Sequence, residues 1–135
     1  MEKAFQVIAI YAGFLGLIFI WLGWEVGKIR RRDNVSIGDE GNIALIRRMR
    51  GQLNFVECVP IILILAIVMA VIGAPYWLFH IGGIALVAAR FFHGLYFTRD
   101  EAPYWQRAVG AVVTLGILAI CSLSLIGHGL YRLVY

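Results

Sequence analysis

Residues Cys58–Ala89 read CVPIILILAIVMAVIGAPYWLFHIGGIALVAA and contain no Asp, Glu, Lys or Arg. A helix needs about 20 mainly apolar residues to cross the ~30 Å hydrocarbon core of a bilayer. This run is too long for one crossing, and Gly73-Ala74-Pro75 divides it. Proline suits the first turn of a helix and is disfavoured in its interior. One membrane helix is therefore expected to end near Ile72 and the next to start at Pro75. Tyr76 and Trp77, just after the break, suit the aromatic belt at a membrane surface.

Working outward, Ala4–Trp24 supplies a span before this run. It exceeds the apolar region of a cleavable signal, and no small-residue cleavage site follows it, so it reads as a retained helix. Asp33, Asn34, Ser36, Gly38, Asp39 and Gly41 mark a first polar loop, and Arg99, Asp100, Glu101 and Pro103 mark a third. Helices are expected over residues 4–29, 42–72, 75–97 and 104–131, making residues 1–135 a single domain. The fold class is all-α, an integral membrane four-helix up-down bundle, because short connections make neighbouring helices antiparallel.

Composition agrees. Apolar residues make up 61% of the chain and charged residues 15%, against roughly 45–50% and 25% in soluble domains. The net charge of +4 is concentrated: Lys28, Arg30, Arg31, Arg32, Arg47, Arg48 and Arg50 lie between the first two apolar runs. No aromatic-basic motif accompanies them, so positive-inside topology and anionic headgroups explain the cluster better than nucleic acid does. Loops one and three are expected on the cytoplasmic side and both termini on the opposite side, with Lys3 and Arg132 as weak opposing signals. Cys58 and Cys121 sit inside apolar runs and read as small buried hydrophobes. There is no metal-ligand cluster, no phosphate-binding glycine loop and no Ser-His-Asp arrangement.

Ionisable residues inside a membrane are costly and point to function. Arg50, Asn54 and Glu57 fall at i, i+4 and i+7 on helix two, Arg90 and His93 at i and i+3 on helix three, and Arg107 begins helix four. The expected topology puts all of them toward the cytoplasmic ends, where they can meet in one pocket. Besides an ion-coupled transport site, two readings stay open on periodicity alone. In one, Glu57 and Arg90 form an interhelical ion pair, Asn54 hydrogen-bonds between helices, and Arg50 and Arg107 reach to headgroups. In the other, the guanidiniums converge on an anionic ligand, which their planar forks bind in bidentate fashion. Elsewhere, Glu25 is expected to pair with Lys28 or a first-loop arginine, Gly13, Gly16 and Gly23 to allow close helix approach, and His80 and His128 to be packing or interfacial residues.

The segment Arg50-Gly51-Gln52-Leu53-Asn54-Phe55-Val56-Glu57-Cys58-Val59-Pro60 resembles the Arg-x-x-x-Asn-x-x-Glu-x-x-Pro signature of the MAPEG family, membrane-associated proteins in eicosanoid and glutathione metabolism. Asn34–Gly41 is similar to the Gly-Asp-Gly loop of short bacterial members, and Trp77–Gly83 and Ala89–His93 also look like that branch. The resemblance spans roughly Gly27 to Gly110. It implies a homotrimer in a bacterial inner membrane, with glutathione as co-substrate and no metal. Arg50, Asn54, Glu57, Arg90 and His93 match positions that hold the tripeptide, and Gln52 matches a further polar position. Arg30 matches an arginine that closes the site from the neighbouring protomer, and Arg107 the arginine that stabilises the thiolate.

Two departures stand out. The family's ligand-site tyrosine falls one position early here, as Tyr96, with Phe97 in the expected place. Ala108 replaces a serine found after the helix-four arginine in some eicosanoid synthases. The implied activity is a glutathione S-transferase acting on hydrophobic electrophiles that arrive through the bilayer, with glutathione peroxidase activity also occurring in the family. The rivals are a small multidrug-type proton antiporter using Glu57, which the surrounding arginines disfavour, and a catalytically silent membrane scaffold.

Overall fold

The computed structural model covers residues 1–135. It is entirely helical: α1 Glu2–Asp33, α2 Ile43–Val71, α3 Tyr76–Thr98 and α4 Tyr104–Val134. All four are long and apolar enough to cross a membrane. At 1.5 Å per residue, the 32 residues of α1 span roughly 48 Å. That exceeds the hydrocarbon thickness, so the basic end of α1 projects into the headgroup layer.

Local chemistry sets each boundary. α1 stops at Asn34, which adopts the left-handed conformation at φ 55° and returns its N–H to the Arg30 carbonyl. Asn42 caps α2, its side-chain oxygen accepting from the Leu45 N–H at 3.0 Å while its amide donates to Asp33 at 2.6 Å. Gly73, at φ 90°, ends α2, and Pro75 and Pro103 stand at the N-caps of α3 and α4. α1 and α4 each run several residues beyond their expected ends, because amphipathic basic or aromatic turns continue a helix past the purely apolar stretch.

The helices do not form a closed square. α2 and α3 each pack against the other three, whereas α1 and α4 do not touch. The section is a rhombus with α2 and α3 on its short diagonal. Three apolar clusters lie along it. Val26, Ile29, Val35 and Leu45 seal loop one against the bundle. Leu15, Ile18, Leu22, Phe55, Val59, Ile62 and Leu86 fill the middle, and Ala4, Val7, Ile8, Ala70 and Phe79 fill the end near the termini.

Within the protomer, Gly13 and Gly16 mediate no helix contact: a Cβ at either would meet nothing within 4 Å, since both face outward. The close approaches occur elsewhere. A Cβ at Gly110 would lie 2.5 Å from His93 Cβ and 2.8 Å from the Ala89 carbonyl oxygen. Backbone cannot give way as a side-chain tip can. Gly110→Ala should therefore destabilise the protein by about 1–2 kcal/mol, overpacking outweighing the gain in helix propensity. Gly13→Ala should be neutral or stabilise by about 0.5–1 kcal/mol. Thermal unfolding in detergent distinguishes the two.

Candidate functional site

Arg90 is drawn into the bundle by the position of its side chain on the inner face of α3 and is 1% exposed. Its Nη1 donates to Asn54 Oδ1 on α2 at 2.9 Å, and its Nη2 to the Gly110 carbonyl on α4 at 3.1 Å. One guanidinium thus links three helices. The Gly110 carbonyl also accepts from the Thr114 hydroxyl at 2.7 Å. The Glu57–Arg90 ion pair of the first reading does not form, whereas the interhelical hydrogen bond it gave Asn54 does. Glu57 is exposed on α2 with no basic partner, because the i+3 step from Asn54 turns it to the outside of the protomer.

A continuous path of side chains leads from Arg90 to the surface. His93, buried at 4% exposure, packs against Gly110 and lies against Phe97, the rings tilted by 42° with centres 4.9 Å apart. The Arg107 guanidinium lies 5.9 Å from the ring centres of both Phe97 and Tyr104. It is exposed and makes no ion pair. Phe97 rather than Tyr96 occupies the inward position. A Cβ at Gly51 would come within 2.6 Å of Phe97 Cβ, so glycine is what admits the ring against α2. Tyr96 instead lies under Arg47, 4.4 Å from its guanidinium carbon.

The remaining polar residues lie on another side of α2. Arg30, Asp39, Arg50 and Gln52 line a cavity of about 500 Å³ between the end of α1, loop one and α2. Arg30 donates to the Gly38 carbonyl at 2.9 Å and also reaches the Val35 carbonyl and Met49 sulfur, so it braces the loop. Arg50 is exposed with no carboxylate partner. A single protomer therefore does not gather the guanidiniums into one pocket. Arg30 and Arg50 share the loop-one cavity, Arg90 is sealed inside, and Arg107 stands on the outer surface.

Sequence reasoning missed three contributors. Arg47 donates to the Tyr96 carbonyl at 2.6 Å, and Arg48 to the Thr98 carbonyl at 3.1 Å and to Asp100 at 3.4 Å. These guanidiniums satisfy carbonyls at the C-terminus of α3 that lack intrahelical partners. Gln106, 7% exposed, sits one turn before Gly110 on the same buried face of α4. Its burial follows from the spacing of Gln106, Gly110 and Thr114, a signal available in the sequence. Two expected details hold: Lys28 pairs with Glu25 at 2.5 Å, and His80 is a packing residue whose Nδ1 meets the Tyr11 hydroxyl at 3.0 Å.

The profile of the MAPEG family matches residues 8–127, nearly the whole bundle and every polar residue just described. The chain belongs to the MAPEG family. Among curated relatives it is 31% identical over 130 residues to the inner membrane protein YecN of Escherichia coli strain K12, covering 96% of this chain and 98% of that protein. YecN of Escherichia coli O6:H1 matches to the same extent. No solved structure matches the chain significantly.

The Asn54–Arg90 contact places a falsifiable demand on stability. Asn54→Leu removes the acceptor of a buried charged donor and should destabilise this MAPEG bundle by about 1–3 kcal/mol. Asn54→Asp, which restores an acceptor and adds a counter-charge, should be no less stable than wild type. Denaturation midpoints in a fixed detergent decide the matter. Equal loss in both variants would show that the contact is not what holds the three helices.

Proposed function

We propose that this MAPEG protein is a membrane-bound glutathione transferase that joins the glutathione thiolate to lipophilic electrophiles, with glutathione-dependent peroxide reduction as a companion activity. The observation that carries the reading is the set of unmatched charges on the outside of the protomer. Arg50, Glu57 and Arg107 are all exposed on membrane-length helices, and none has a partner of opposite sign. A charge at the centre of a membrane helix costs about 2.5–3.5 kcal/mol even on the mildest scale, and less toward the helix ends, where Arg50 and Arg107 lie. These groups call for cover, and an acidic peptide held between copies of the chain supplies it.

Glutathione has two carboxylates, one ammonium and one thiol. Arg50 and the guanidinium of Arg30 suit the carboxylates, Glu57 suits the ammonium, and Gln52 and Asn54 offer amides on the same helix. Arg90 and His93 form the inner wall, and Tyr96 stands at its rim. Arg107 is the catalytic residue. Its charge is not neutralised by any carboxylate, and the rings of Phe97 and Tyr104 beside it lower the local dielectric. A free thiol has a pKa of about 8.5, and a nearby guanidinium favours the thiolate, the reactive form.

The site is split between faces of one protomer, so the proposed assembly is a homotrimer with glutathione at each interface. The second substrate, being apolar, is concentrated by the bilayer beside the thiolate. The name of the YecN relatives supports an inner-membrane location. The basic first and third loops support placing those loops in the cytoplasm and both termini opposite.

Purified protein in detergent, given glutathione and an aryl halide, tests the proposal. Arg107→Ala should lower kcat/KM by about 10²–10³-fold, the usual cost of one lost anion-stabilising group. Its pH–rate profile should move to higher pH, because loss of the cation raises the thiol pKa. Glu57→Gln should weaken glutathione binding about tenfold, equivalent to ~1.4 kcal/mol. Absence of both binding and conjugation in the wild type would reject the transferase. Proton-coupled efflux that depends on Glu57 would install an antiporter in its place.

A further inference from the structure

Away from the polar end, the helices do not close on one another. Every buried residue of α4 lies between Gln106 and Thr114, and none follows. The apolar cluster near the termini is built by α1, α2 and α3 alone. Where α4 leaves the core, a cavity of about 350 Å³ remains, walled by Tyr11 of α1, Ala66 of α2, Gly82 of α3 and Cys121 of α4, among others. Ile81 and Ile120 border it and are 62% and 65% exposed, so it opens sideways between α3 and α4.

Three features define what fits. First, the wall offers little to a polar guest: apart from the exposed Ser124 hydroxyl at its rim it is apolar. The Tyr11 hydroxyl is already paired with His80, and the buried polar atoms that lack partners belong to Arg47, Arg48, Arg90 and Gln106, none of which line this space. Water needs two to four polar partners, so it is not a stable occupant. Second, the size excludes protein. A helix with its side chains is roughly 10–12 Å across. By contrast, a cavity of ~150 Å³ accepts benzene, which scales to about a dozen carbons here. Third, the opening lies on the apolar lateral surface of the protomer, between the exposed Ile81 and Ile120. A Cβ at Gly82 would meet nothing within 4 Å, so the gap is not filled even where packing would allow a side chain.

We infer that this wedge between α4 and the α2–α3 pair is a binding site for one acyl chain of a membrane phospholipid, entering laterally from the bilayer. Only flexible hydrocarbon is both available at that depth and slender enough to use the opening. An empty space of this size would forfeit dispersion contacts along its whole wall. The site is separate from the glutathione reading and does not depend on it.

The test uses the full chain in phosphatidylethanolamine vesicles containing a trace of phosphatidylethanolamine with a diazirine at the end of one acyl chain. After irradiation, adducts are mapped by mass spectrometry. Cys121, Ala66 and Gly82 should be labelled at least about fivefold more than the outward-facing Leu115 and Leu123, and Gly82→Leu should abolish that excess while leaving exterior labelling intact. Uniform labelling, or an excess that survives a folded Gly82→Leu protein, would overturn the site. A second measurement covers failure of that variant to fold. In Cys58→Ala protein in detergent, adding phosphatidylethanolamine should slow alkylation of Cys121 by N-phenylmaleimide about fivefold, and an unchanged rate would overturn the site equally.

Discussion

Arg90 takes a guanidinium into the middle of a membrane bundle, and it is held there by one side-chain amide oxygen and one backbone carbonyl. An ion in a medium of low dielectric must be hydrogen-bonded to persist. The demand shapes its surroundings. α4 can bring its carbonyl to Arg90 only because residue 110 lacks a side chain, since a Cβ would run into His93 and the Ala89 carbonyl. Asn54 must lie at the same level of α2. Gly51, one turn earlier, must also be small so that Phe97 can pack between α2 and α3. The register of three helices is therefore tied to one buried cation.

The C-terminal end of α3 is fixed by the same chemistry. Arg47 and Arg48, side by side near the start of α2, project to the Tyr96 and Thr98 carbonyls. Positive groups at a helix C-terminus are favoured by the helix dipole as well as by the orphan acceptors. With the Arg90 link two turns deeper, α2 and α3 are fastened at two points along their length. No comparable polar contact fastens α4 near the termini, where it contributes no buried residue. The bundle is consequently stiff at its basic end and loosely closed at the other.

Most of the architecture was readable from hydropathy. The four spans, the break at Gly73-Ala74-Pro75 and the polar loops follow from a solvent that tolerates no unsatisfied backbone, so the sequence carries them residue by residue. The polar contacts were less readable. Glu57 and Arg90 look like partners when only side chains are considered, but Arg90 chooses a backbone carbonyl, and carbonyls have no signature in a sequence. Gly13 and Gly16 look like contact glycines by composition, yet close approach is a property of which face a helix turns inward. That face was obscured because the outer surface of a membrane helix is as apolar as its core. Gly110, Gln106 and Thr114 show the converse: their i, i+4, i+8 spacing did mark the buried face of α4, although nothing about residue type alone announced it.

The sorting of charges also bears on how such a protein assembles. Inside the protomer, the two terminal nitrogens of Arg90 bond Asn54 and the Gly110 carbonyl while its Nε has no partner, and Glu57 does not supply one. That leaves Glu57 and Arg50 exposed on α2, and Arg107 exposed near the start of α4, each without a partner of opposite sign and costly wherever it lies below the headgroup layer. On the proposed function, the cost becomes a source of specificity. Association that buries these groups against an acidic peptide is favoured, and association that leaves them facing acyl chains is not. Ligand and partner would then be linked thermodynamically: whatever binds the assembled form alone stabilises the assembly by mass action. A chain this small, with an outer surface almost as apolar as its core, has few other means of distinguishing its own kind from lipid.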